Sequence, residues 1–192
     1  LWRLAKRNEE ELVTQARNPK AIEEGWTLWL TGLPASGKST IARALQQQLH
    51  GPVVVLDSDE VRPILASVHG YDEAGREEFY ARLVQLALLL VKQGINVIVA
   101  ATANRRQYRR FARASLPRFA EVWVKSPVSV CQSRDPKGLY RRAAAGEIRN
   151  LPGFDSEYEA SEDAESVVDS SQLAPDAAAA AILAAIPFLA SP

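Results

Sequence analysis

A three-layer α/β/α fold around a mainly parallel five-stranded sheet is predicted by three observations. Short apolar runs alternate along the chain with helix-patterned segments, as βαβ units do. Two of those runs, Val53–Leu56 (VVVL) and Asn96–Ala101 (NVIVAA), are continuous rather than alternating, the pattern of strands covered on both faces. A third, Thr27–Thr31 (TLWLT), ends in a glycine-containing turn and leads directly into a helix-patterned segment.

Each element follows from the residues. Leu1 to Glu24 is charged and polar, with a helix expected over Glu9–Arg17 that stops before Pro19. We therefore divide the chain into a helical arm (residues 1–24) and a folded domain (residues 25–192). After the first strand, Lys38–Leu49 carries Ile41, Ala44, Leu45 and Leu49 on one helical side. Helices are expected over Asp59–Val68 and Glu73–Gln93, the second stopped by Gly94. Arg105–Ser115 reads as helix up to Pro117, and Glu121–Lys125 (EVWVK) as the fourth strand. Asp135–Asn150 is polar and basic, with Gly138 and Gly146 as hinges, and Leu151–Glu165 is an acidic loop. Ser166–Asp169 is the last strand, and the alanine-rich Asp176–Ile186 the last helix.

Composition narrows the function. The 192 residues carry 23 basic and 23 acidic side chains, so the broad positive field of a generic nucleic-acid binder is missing. Neither Leu83–Val91 nor Ala177–Ala190 supplies the roughly 20 apolar residues of a membrane span. No partner among nucleic acids or membranes is expected. With Cys131 as the single cysteine and only His50 and His69, neither an internal disulfide nor a zinc cluster can form, and a reducing, cytoplasmic setting is expected. A first residue of Leu, not Met, leads us to expect a trimmed chain or a piece of a longer, fused protein.

The segment Gly32-Leu33-Pro34-Ala35-Ser36-Gly37-Lys38-Ser39, followed by Thr40, satisfies G-x-x-x-x-G-K-[ST] in full. Glycines let backbone N–H groups curl around phosphate oxygens, and the helix that follows aims its positive end at the same anion. Lys38 supplies charge for the β- and γ-phosphates, and the Ser39 hydroxyl is placed to ligate Mg²⁺. A chance match in a chain of this length has odds of about 1 in 100. Lying between an expected strand and an expected helix, the motif predicts a P-loop NTPase-type fold that binds ATP with Mg²⁺.

Two carboxylates, Asp57 and Asp59, close the second strand. On extended backbone a spacing of two sends both side chains to one side. The carboxyl ends of parallel strands are also where ligands collect. Asp57 is thus a metal-holding candidate, directly or through water, and Asp59 the base for an attacking hydroxyl. Asp57 or Asp59 merely capping the next helix is the competing reading. Arg62, one helical turn on, suits an anionic acceptor.

Taken together, TLWLTGLPASGKST (27–40), LDSDEVR (56–62), CQSRDPKGLY (131–140), the following AxxGEIRN and YEA resemble the adenylylsulfate (APS) kinase family from about Glu10 to Ser170. The resemblance implies phosphorylation of the 3′-hydroxyl of APS to give PAPS in sulfate assimilation, with Mg·ATP as donor and a homodimer as the assembly. It also implies that Asp135–Asn150 is a mobile lid, that Arg134 and Lys137 lie near ATP, and that basic residues after Tyr140 lie near the acceptor. A lid excludes water from the γ-phosphate and so suppresses hydrolysis.

Departures from the family pattern gather in the acceptor half. Tyr71 stands where the family's stacking Phe is expected and can still stack. Arg76 is retained, but an expected asparagine is Phe79 and a further arginine position is Ala81. The family's Ser-Pro-Tyr-Arg is Asn104-Arg105-Arg106-Gln107, and its second stacking wall is Leu151-Pro152-Gly153. The expected acceptor set is Arg62, Tyr71, Arg76, Phe79, Asn104 and Leu151, with a related P-loop kinase for another nucleotide-like or small hydroxyl acceptor as the alternative. The arginines from Arg105 to Arg118 read mainly as a solvated or structural face, with Arg105 or Arg106 as the one expected acceptor contact. Trp26, Trp29 and Trp123 adjoin strands as core candidates, and Cys131 is expected to pack as a small apolar residue in a helix before the lid.

Overall fold

A computed structural model of the chain describes residues 23–65 and 72–189. The strands are β1 (Thr27–Thr31), β2 (Val53–Asp57), β3 (Asn96–Ala100), β4 (Phe119–Lys125) and β5 (Ser166–Asp169). They form one sheet in the order β2-β3-β1-β4-β5, and every neighbouring pair is parallel. The helices are α1 (Lys38–Gln48), α2 (Ser58–Leu65), α3 (Glu73–Lys92) and α4 (Arg106–Ser115). α5 (Val128–Arg134), α6 (Leu139–Ala144) and α7 (Pro175–Ala185) follow, and a 3₁₀ turn covers Pro187–Leu189.

The period-2 alternation of a strand makes the three layers. On central β1, Leu28 and Leu30 join Ile41 and Leu45 of α1 and Ile182 of α7 on one face. Trp29 points the other way, into Phe79, Leu83 and Val84 of α3 and Tyr108 and Ala112 of α4. Leu86 and Leu90 pack partly buried against the same cluster. Asp72 caps α3 by accepting from the Gly75 N–H at 2.8 Å, satisfying one of the orphan donors of its first turn. A buried ion pair, Arg109 Nε to Glu121 Oε1 at 3.0 Å, ties α4 to β4.

Several element ends differ from expectation, most of them by one residue. β4 begins at Phe119 because its first residues pair with Thr27 and Leu28 of β1. The lid segment carries a helix of its own, α6, whose Tyr140 and Ala143 are buried. α2 starts at Ser58, one residue before the expected Asp59. The arm helix expected over Glu9–Arg17 lies outside the described residues, as do Tyr71, His69 and the end of the helix expected through Val68. No helix among the described residues is long and apolar enough to cross a membrane. With all strands parallel, their carboxyl ends share one edge of the sheet, and the loops leaving them meet there.

Candidate active site

The loop after β1 is built by close packing and by backbone that glycine alone enters cheaply. A Cβ on Gly32 would lie 2.3 Å from the Val124 carbonyl oxygen of β4, so no side chain fits between the loop and the sheet. Gly37 takes φ +91° as it caps α1, a left-handed turn that directs the first N–H groups of the helix at the loop's hollow. Lys38, buried at 8% exposure, donates to the carbonyls of Gly32 at 3.0 Å and Leu33 at 2.8 Å. Burial pulls its ammonium from the ordinary 10.5 down to about 8, against the opposing pull of Asp59 and Asp57.

Asp57 ends β2 buried, and its Oδ1 accepts the Asp59 N–H at 3.0 Å. It therefore does the capping that the competing reading assigned it, and it still lines the cleft. Because the chain turns into α2 at Ser58, Asp59 faces outward, and its Oδ2 accepts from Lys137 Nζ at 2.5 Å.

Pro34, Ala35, Gly37, Lys38, Ser39 and Thr40 line a cleft of about 1360 Å³, together with Asp57, Asp59, Arg62, Arg76, Arg134, Lys137 and Leu151. Gly32, Leu33 and Ser36 do not line the cleft. Ser39 and Asp57 bring a hydroxyl and a carboxylate to the same wall. These are hard oxygen donors suited to Mg²⁺, which takes few protein ligands and fills its shell from phosphate and water. Among the described residues, no group of three or more His, Cys, Asp or Glu side chains is placed to hold a metal ion.

The segment 135–150 lies against the phosphate loop. Tyr140 Oη donates to the Pro34 carbonyl at 3.2 Å, and Leu33 and Ala35 pack on Cys131, Tyr140, Ala143 and Leu151. Arg134 holds the turn after β5 through the Ser170 carbonyl at 2.6 Å.

On the acceptor side the residues separate. Arg76 lines the cleft while its guanidinium donates to Asn104 Oδ1 at 2.9 Å and to the Asn150 carbonyl. Phe79 is a correction: its ring is fully buried, with the Arg62 guanidinium 3.8 Å above it, and it does not reach the cleft. Asn104, at 3% exposure, lies behind Arg76 and is not part of the cleft wall. Arg105 and Arg106 are also corrected. Arg105 pairs with Glu157 and Glu159, Arg106 pairs with Glu162, and neither lines the cleft. The acidic loop thus lies along the arginine face of α4.

Sequence reasoning missed Tyr80, Thr102, Arg149 and the run Ser170–Pro175, all on the cleft wall. For Thr102 and Ser170 a signal was available, since both follow the carboxyl end of a predicted strand.

Residues 24–169 match the family described as adenylylsulphate kinase. The adenylyl-sulfate kinase of Klebsiella pneumoniae subsp. pneumoniae is 44% identical over 164 residues, which are 83% of this chain and 82% of that protein. The adenylyl-sulfate kinase of Shigella boydii is 42% identical, covering 84% and 83%. Among solved structures, the Mycobacterium tuberculosis APS kinase CysC in complex with AMPPNP and APS superimposes with a TM-score of 0.80. It is 33% identical and covers 85% of this chain and 98% of that one.

Proposed function

The chain belongs to the adenylylsulphate kinase family, and from that premise we propose how its cleft moves a phosphoryl group from ATP to APS. The activity is that of an adenylyl-sulfate kinase, an enzyme of sulfate assimilation. The triphosphate lies along Gly32–Thr40, where backbone N–H groups and the positive end of α1 meet it. Lys38 exchanges the Gly32 and Leu33 carbonyls for phosphate oxygens. Ser39 and Asp57 would hold Mg²⁺, which when bound neutralises charge on the β- and γ-phosphates. The nucleotide base lies toward Arg134 and Ser170–Pro175. This apolar rim, with Leu173, Ala174 and Pro175, sits beside a planar cation.

The acceptor takes the opposite flank, held by Arg62 and Arg76 against Leu151, with Tyr71 as the stacking partner that the sequence suggests. Asp59 accepts the proton of the attacking 3′-hydroxyl. The lid keeps water from the transferring group, and a homodimer is part of this reading.

The observation that carries the proposal is the meeting of three groups at one mouth: buried Lys38, the outward Asp59 and the lid's Lys137, all on the cleft wall. The test is an assay with Mg·ATP and APS. The expected result is PAPS formation, with transfer reduced by at least about 100-fold in Lys38→Ala. Wild-type protein that consumes no APS, or a Lys38→Ala variant as fast as wild type, would overturn it.

A further inference from the structure

We infer that Asn104 is a positioning residue that fixes the direction of the acceptor-holding Arg76, an inference that rests on the role proposed above for Arg76. An arginine whose side chain is nearly buried has several rotamers to lose and many N–H donors to satisfy. Here Asn104 Oδ1 takes Nη1 at 2.9 Å, in the protein interior, and the Asn150 carbonyl takes Nη2. A hydrogen bond to a charged group is stronger than a neutral one and fixes geometry as well.

The amide of Asn104 is itself held from several sides. Its Nδ2 donates to the Glu157 carbonyl at 3.1 Å, which settles which end of the amide faces Arg76. Its own carbonyl accepts from the Glu159 N–H at 2.8 Å. The preceding residue, Ala103, sits at φ +40°, a left-handed conformation that costs energy outside glycine. Ala103 is clamped there by two buried contacts: its N–H donates to Tyr80 Oη at 2.8 Å, and its carbonyl accepts from Arg109 Nη1 at 2.6 Å. Strained backbone kept by two buried neighbours, followed by a side chain that does not line the cleft, is an arrangement for aiming another group. The aimed group is the guanidinium of Arg76, a residue of the cleft wall.

The test is a double-mutant cycle on the full chain, read as separate KM values for APS and for ATP, beside thermal unfolding. Asn104→Ala is expected to raise the APS KM about tenfold and leave the ATP KM within about twofold. Arg76→Ala is expected to raise the APS KM at least as much, and the double variant no further than Arg76→Ala alone. Should Asn104→Ala fail to fold, Asn104→Leu, nearly the same shape, carries the same expectation. An APS KM raised by Arg76→Ala but untouched by a folded Asn104 variant overturns the inference and leaves the proposed function standing. Effects of the two substitutions that multiply, or an Asn104 variant that raises both KM values alike, also overturn it. An Arg76→Ala variant with an unchanged APS KM instead sinks the role proposed for Arg76.

Discussion

Lys137 on the lid donates to Asp59 at the start of α2 across 2.5 Å, joining segments 78 residues apart in the chain. The candidate base and a cation of the segment 135–150 are thus partners. In the proposed function, a phosphate competing for the lysine would free Asp59.

Lys137→Ala should separate the functional from the structural weight of that contact. Both side chains are about half exposed, so the pair contributes at most about 1 kcal/mol to stability. The melting temperature should move by less than about 4 °C. Transfer should fall by about tenfold or more, because a lid cation facing the phosphates is lost. Steady-state kinetics beside a thermal melt checks both. A variant with normal kinetics would remove Lys137 from the reaction.

The opposite balance is expected at Arg109. Its ion pair with Glu121 leaves both side chains at 2% and 4% exposure, and Arg109 also holds the Ala103 and Glu159 carbonyls. Arg109→Met leaves a carboxylate buried without its cation and should cost about 3–5 kcal/mol in urea unfolding. Arg110→Ala, which breaks a pair exposed at 64% and 55%, should cost less than about 1 kcal/mol.

Acid stability should depend on Glu159. The Arg106 backbone N–H, then the Arg105 guanidinium, hold its carboxyl below the ordinary 4.5. A carboxyl lowered in the folded state stabilises above its unfolded value, and that contribution is lost as pH falls below 4.5 through the folded value. Glu159→Gln should therefore be less stable than wild type at pH 7, with the gap closing at lower pH. Unfolding midpoints between pH 7 and pH 3 measure this; a gap constant with pH would contradict it.

How far the site could be read in the sequence depends on how local its causes are. β2 and β3 could be read because each is a continuous apolar run, and the phosphate loop because its glycines and lysine lie in one short segment. Phe79 could not be placed that way. It shares a helix face with Arg76, three residues earlier, but a long side chain reaches the cleft where a ring stays in the core. The pairing of α4 arginines with glutamates about 50 residues later has no local signal at all. Nor did the lid announce α6, since Tyr140 and Ala143 bury themselves only against the phosphate loop and its neighbours.

The most direct measurement is single-turnover transfer of the γ-phosphoryl group from labelled ATP to APS by wild type and Asp59→Asn. Transfer by the variant should be slower by about 1000-fold, with ATP affinity within about twofold of wild type. Equal rates of label transfer by both proteins would contradict the account.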